Sequence, residues 1–238
     1  RASSDLPSAH LCAALGADTI VCMAAHAREL VAEAGRTGRL PPGTVVQFSG
    51  SRSSAPMRRE LLEHVCDGVA VTYSMQECGS IARTVERSLG DVSESVGRPH
   101  PGIEVEIVDE RGAPLPRGEI GEIRIRAPGM ATGYVDDERA DVMHFRGGWF
   151  HPRDLASFSP DGSLVIHGRA DDVMNLNGIK IAGVEIERAL ERHPAVKAVA
   201  AFPLRSVHHG EIPAAAAELT DGLRSDEHEL LRFAREAL

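Results

Sequence analysis

Six short stretches collect the side chains able to do chemistry: S-G-S-R-S-S (49–54), T-Y-S-M-Q-E-C (72–78), G-E-I-G-E-I (118–123), G-W-F-H-P-R-D-L (148–155), G-R-A-D-D (168–172) and N-G-I-K-I-A-G-V-E-I-E (177–187). Arg169 and Asp171 close one apolar run, a Gly-containing polar turn follows, and a helix then opens. One or two arginines with nearby backbone N–H groups can build a local phosphate site. A lone Glu at a strand end is usually solvated and a lone Arg is usually a surface charge. No single stretch therefore assigns a function.

The elements that must position these residues change texture along the chain. A-L-G-A-D-T-I-V-C-M reads as a buried strand edge, and A-A-H-A-R-E-L-V-A-E-A as a helix stopping at Gly35. T-V-V-Q-F-S-G suits a buried parallel strand. Pro56 opens a helix with Leu61, Leu62 and Val65 on one face, and G-V-A-V-T-Y-S-M-Q-E-C is a strand running into a loop. Strand, helix, strand at this spacing is a βαβ signature. From residue 95 the pattern alternates: Ile103, Val105 and Ile107 against Glu104 and Glu106, then Ile120, Ile123 and Ile125. F-S-P-D-G-S-L-V-I is a hairpin turning at 160–162. Residues 97–167 thus form an antiparallel barrel or sheet. A helix over Val184–His193, a strand over A-V-K-A-V-A-A-F-P-L and a last amphipathic helix behind a Ser-x-x-His near-capping box complete the reading. The expected class is α/β and α+β, with divisions at 1–96 (α/β), 97–170 (antiparallel β) and 171–238 (a small mobile α+β lid).

The 238 residues can bury a substantial core, and 42% hydrophobic with 26% charged residues is ordinary for a globular protein. Aromatics at 4% give few stacking platforms for single-stranded nucleic acid, and a formal charge of −9 argues against a polyanion over the whole surface. Nucleic acid is therefore not an expected partner. Cys12, Cys22, Cys66 and Cys78 are widely spaced without a C-x-x-C pair, so buried or free thiols and a reducing, cytoplasmic compartment are the default. No run approaches the length of a membrane span, and no signal-peptide pattern opens the chain.

In their order and spacing the six stretches resemble the adenylate-forming superfamily of acyl-CoA and aryl-CoA synthetases, peptide-synthetase adenylation domains and luciferases. The resemblance runs from about residue 17 to residue 219. It implies ATP-dependent activation of a carboxylic acid as acyl-AMP, with transfer to CoA or to the phosphopantetheine of a carrier protein. Glu77 resembles the glutamate that holds Mg²⁺, a hard ion that prefers carboxylate oxygen. Gln76 stands where Thr is common and donates to the α-phosphate. Tyr73 matches the aromatic packed on adenine, with a buried strand tyrosine as the bland alternative, and Ser74 follows it. Gly50, Ser51 and Arg52 take the place of the loop lining adenine. Asp154 resembles the aspartate that accepts both ribose hydroxyls, which suits a carboxylate. Thr-Gly usually precedes it; here Pro152 and Arg153 do, and Arg153 has three orientations open: on phosphate, into solvent, or blocking the site. Arg169 resembles the arginine that contacts the AMP ribose or phosphate, and Asp171 the hinge. Gly178 and Lys180 match the loop lining the pantetheine channel, against the plain reading of a turn punctuated by Gly.

Two parts of the family pattern do not occur in the 238 residues: a Ser/Thr/Gly-rich phosphate loop with Lys, and the lysine near the family's C-terminus. Truncation of a longer ligase is the simplest account, and the stretch alone is expected to adenylate poorly. Gln76, Pro152 and Arg153 support a competing expectation, a catalytically incomplete homologue that binds nucleotide or a carrier protein. A βαβ protein with chance matches is the third. Met75, Cys78 and Gly79 favour hydrophobic acyl or aryl acids over charged amino acids.

Overall fold

A computed structural model describes residues 8–50, 52–176, 179–206 and 210–238. Short β-branched runs with alternating helices build the first layer. Strands β1 (Thr19–Cys22), β2 (Val45–Phe48) and β3 (Gly68–Met75) pair in parallel in that order. Helix α1 (Ser8–Leu15) precedes β1, α2 (Ala24–Thr37) joins β1 to β2, and α3 (Ala55–His64) joins β2 to β3. Ala27 and Leu30 of α2 and Leu61 and Leu62 of α3 pack on Val46, Phe48 and Val69, so the apolar helix faces meet the sheet as expected. Helix α2 runs through Gly35 to Thr37 and ends on Gly38, whose φ of 87° reverses the chain.

The expected loop after β3 is a hairpin. Gln76–Cys78 form its turn, and β4 (Gly79–Glu86) returns antiparallel to β3 and carries β5 (Arg98–Pro99) on its far edge.

The alternating segment forms a second sheet: β6 (Glu104–Val108), β7 (Gly121–Arg126), β8 (Phe145–Arg146), β9 (Trp149–Phe150), β10 (Asp154–Phe158) and β11 (Leu164–Arg169). Helix α4 (Glu138–His144) leads into β8. The strand order is β11-β10-β7-β9-β8, with β6 on β7, and among the described residues it stays an open sheet, not a closed barrel. Ile123 and Ile125 are fully buried as the alternation requires, whereas Ile120 falls before the strand and is exposed. Ser159–Ser163 close the β10–β11 hairpin. Val96 and Gly97 bond to both sides of Leu164, stitching the first sheet to the second.

The third sheet is antiparallel, ordered β13-β12-β15-β14, from β12 (Val173–Leu176), β13 (Ile179–Ala182), β14 (Val196–Ser206) and β15 (Gly210–Leu219). Helices α5 (Gly183–Leu190) and α6 (Glu227–Ala237) cover it around Met174, Ile186, Leu190 and Ala234. The last helix is capped by Asp226, which accepts from the Glu229 N–H; Ser225 bonds the Glu229 side chain instead. All four cysteines are buried and free. No described helix is long and apolar enough to cross a membrane.

Candidate functional site

A cleft of about 630 Å³ opens where the first two sheets meet, with α5 along one side. Three strand ends supply its wall. On β3, Tyr73 and Met75 line the wall; around the start of β10, Pro152 and Asp154 do; at the end of β11, Gly168 and Arg169 do. Asp154 and Arg169 are register partners across the β10–β11 ladder, which sets carboxylate and guanidinium side by side. Glu77, from the β3–β4 turn, closes the same cleft. Glu77, Asp154 and Arg169, separated by up to 92 positions in sequence, thus share one cavity.

Two tyrosines orient two carboxylates. The Tyr73 hydroxyl donates to Asp154 Oδ2 at 2.6 Å, joining the first sheet to the second. Burial and then the Asp154 charge push the Tyr73 phenol far up, so it remains a donor. Burial also raises the Asp154 carboxyl, opposed by the Tyr73 bond and by Arg169. Its ionised form lacks donors, which suits a ligand bringing two hydroxyls. The Tyr134 hydroxyl donates to Glu77 Oε1 at 2.6 Å, and burial, followed by that bond, pushes Tyr134 up to about 12. Among the described residues no three His, Cys, Asp or Glu side chains converge as a metal cage. Glu77 is nevertheless suited to a Mg²⁺ that takes one carboxylate from the protein and the rest of its oxygens from phosphates and water.

Gly50 lines the cleft with φ 75°, and Arg52 lines it while its Nη2 pairs with Glu191 Oε2 at 3.0 Å. Ser74 lines it as well, but Gln76 is exposed in the turn and does not. Ser51 and Gly178 lie outside the described residues. Lys180 pairs with Asn175 in the β12–β13 ladder, and its side chain lies outside the described part. Asp171 sits in a single 3-10 turn, Ala170–Asp172, between β11 and β12. Arg153 has its backbone at φ 69° and its side chain on Asp171 and Glu122, away from the cleft. Of the three orientations left open by sequence, none includes this pairing.

Sequence reasoning missed Tyr134, His144, Glu94 and Arg188, all on the cleft wall. For Tyr134 there was no signal beyond an aromatic in a Gly-rich segment. The His144 ring, held by its Nδ1 on the His151 carbonyl at 2.7 Å, stacks on Phe150 and meets Tyr134 edge-on. Arg188 did carry a signal, since it lies four residues after Val184 and three before Glu191, on one helix face. The Cys78 thiol, pushed up to about 11 by burial and then by Glu77, is inert packing beside the site.

The parallel βαβ layer, the antiparallel second sheet and the acid–arginine cleft between them define an adenylate-forming architecture. The AMP-binding enzyme family matches over residues 2–135, and the chain belongs to that family. The 4-hydroxybutyrate–CoA ligase 2 of Metallosphaera sedula is 35% identical over 144 residues, covering 60% of this chain and 26% of that protein. Enterobactin synthase component E of Escherichia coli is 31% identical over 195 residues, 81% of this chain and 36% of that protein. The amide bond synthetase structure from Marinactinospora thermotolerans superposes with a TM-score of 0.86 at 26% identity, over 98% of this chain and 49% of that one. The chain thus spans about a quarter to a half of the length of these relatives.

Proposed function

We propose that the protein carrying this chain is an ATP-dependent acid–thiol ligase that activates a carboxylic acid as acyl-AMP. The observation that carries the reading is the half-buried Asp154 facing one cleft with Arg169 and Glu77, in a chain of the AMP-binding enzyme family. A carboxylate oxygen attacks the α-phosphorus of ATP, pyrophosphate leaves, and a thiol of CoA or of a carrier protein then displaces AMP. Asp154, oriented by Tyr73, accepts the two ribose hydroxyls, and Arg169 beside it meets the ribose or α-phosphate. Glu77, oriented by Tyr134, would hold Mg²⁺, which when bound neutralises charge growing on the phosphate oxygens. Gly50, Arg52 and Ser74 line the wall beside the base, with Tyr73 at its edge.

The division at 1–96, 97–170 and 171–238 belongs to the same reading, with Asp171 as the pivot and Gly178 and Lys180 on the thiol side. Its support is that the second sheet ends at Arg169 and the third begins at Val173, leaving one short turn between them. Relatives named for CoA ligation and for amide bond synthesis differ in acceptor, so thiols and amines are both to be assayed.

Pyrophosphate exchange in the natural protein, with a panel of acyl and aryl acids, tests the chemistry. At least one acid should support exchange; none doing so while AMP still binds favours the alternative, a homologue that only binds nucleotide or carrier protein. Calorimetric titration of AMP tests the site: Asp154→Ala should weaken binding by about tenfold or more, and unchanged affinity would remove Asp154 from the ribose.

A further inference from the structure

Among the described residues only two non-glycine positions have positive φ, Asp136 at 57° and Arg153 at 69°. Asp tolerates the left-handed region because its short side chain bonds locally; Arg has no such compensation and gains nothing from that backbone by itself. A strained position persists where surrounding contacts over-determine it. Around Arg153 those contacts are explicit. Its Nη2 and Nε both donate to Asp171 Oδ1, at 2.9 and 3.3 Å, and its Nη1 donates to Glu122 Oε2 at 3.3 Å. Its carbonyl accepts the N–H of Ala170 at 2.7 Å. The other oxygen of Asp171 faces Arg169 Nη2 at 3.5 Å. One carboxylate in the turn between the second and third sheets is therefore held from both sides, by the arginine of the cleft and by an arginine outside it.

The geometry points to Arg153 as a positioning residue that fastens the Asp171 turn in the arrangement seen here, coupling the pivot to the nucleotide-gripping Arg169 through the carboxylate they share. The inference rests on the proposed pivot at Asp171. Swinging the residues after 171 turns the backbone at Asp171 and works against the two hydrogen bonds that fix its carboxylate on Arg153, while Glu122 on β7 keeps the guanidinium anchored to the second sheet. Arg153 thus stays behind as the fixed half of a latch. A glycine there would adopt the same φ without strain and keep the backbone bond to Ala170, but the latch would be gone.

Hydrogen exchange of the 170–176 amides, read in the natural protein without nucleotide, tests this. Arg153→Gly and Asp171→Asn should each speed exchange in this turn several-fold, leaving β3 and β7 unchanged, and the double variant should be no faster than Asp171→Asn alone, which already loses both arginines. Arg153→Lys, a point charge on a strained backbone, should restore part of the protection. The latch is overturned by unchanged exchange in Arg153→Gly, by effects that multiply in the double variant, or by faster exchange throughout the fold. AMP affinity measured on the same samples separates the two ideas: if wild type fails to bind AMP while the turn behaves as described, the nucleotide reading fails and the tether stands.

Discussion

The bond from Tyr73 to Asp154 does two things, since it crosses between two sheets and fills one lone pair of a carboxylate that burial already penalises. Tyr73→Phe keeps the ring and removes the donor. It should cost about 1–3 kcal/mol of stability, the usual penalty for a buried polar group left unpaired, and push the Asp154 carboxyl further up. Thermal unfolding and a carboxyl-resolved NMR titration read the two effects; a Tm equal to wild type would mean that water replaces the phenol without loss. Tyr134→Phe is the parallel case at Glu77, and it should weaken Mg²⁺-dependent ATP binding more than metal-free AMP binding. At this scale the sequence was readable where a motif resembling that of the family names a residue type. Tyr73, Asp154 and Arg169 were singled out by their resemblance to the family pattern, and they meet in one cleft. Tyr134 and His144 arrive through a loop and a short helix, whose side-chain directions depend on tertiary packing and leave no period to read.

Between elements, one buried cation organises the floor beneath the cleft. Arg58, on α3, is 2% exposed and donates to Glu86 on β4 at 2.8 Å, to the Ser95 carbonyl and twice to the Ser53 carbonyl. It ties the 49–54 loop to the edge where β4 ends. Removing one partner strands the other charge, so Arg58→Ala should cost about 3–5 kcal/mol, while Arg58→Met with Glu86→Leu should recover much of it. Chemical denaturation of the single and double variants measures both; equal losses would show that volume, not charge, sets the cost. Gly97 is the second dependence of this region: with φ 91°, a Cβ there would lie 2.1 Å from the Arg83 carbonyl oxygen, so Gly97→Ala should be strongly destabilising. The parallel strands and their helices were legible because buried β-branched runs and 3.6-residue apolar faces are local signals. Strand β4 was not, since it buries Ile81, Ala82 and Glu86, a set that breaks alternation. Nor was β15, whose G-E-I-P-A-A-A-A-E-L combines Pro with a run of alanines of low strand propensity. It is a strand because ten residues of β14 pair with it, information held elsewhere in the chain.

For the molecule as a whole, charge sets both the pH response and the contact of α5 with the first sheet. His151 and His167 sit below the ordinary value of 6.5, each chiefly because burial disfavours the imidazolium. The unfolded chain then binds more protons than the folded one in the window just below 6.5. Stability is full above that value and is lost as pH falls through it. Denaturation midpoints should therefore drop as pH falls below about 6.5, and His151→Asn should flatten the slope; a slope unchanged by the variant would assign it to other groups. That contact is a seam of charged groups. Helix α5 reaches the wall of the cleft through Arg188, which pairs with Glu94 at 3.5 Å and donates to the Ile166 carbonyl, while Glu191 pairs with Arg52 at 3.0 Å. Burial pushes Arg188 down and Glu191 up, so these charges are held at a cost that their partners only partly offset. Each pair is worth about 1 kcal/mol or less, and the Arg188 bond to the Ile166 carbonyl adds to them. Such a contact is firm enough to choose one arrangement and weak enough to part in the cycle proposed above. Arg52→Glu places two acids face to face and should open the seam, raising hydrogen exchange in α5. Adding Glu191→Arg restores the pair with its signs exchanged, and exchange should return towards wild type. Salt near 0.5 M should mimic the single variant in part, because these groups are one-fifth to two-fifths exposed and within reach of counterions. If Arg52→Glu alone leaves α5 as protected as before, apolar contact rather than charge holds it against the first sheet, and parting the seam would then cost far more than the ion pairs imply.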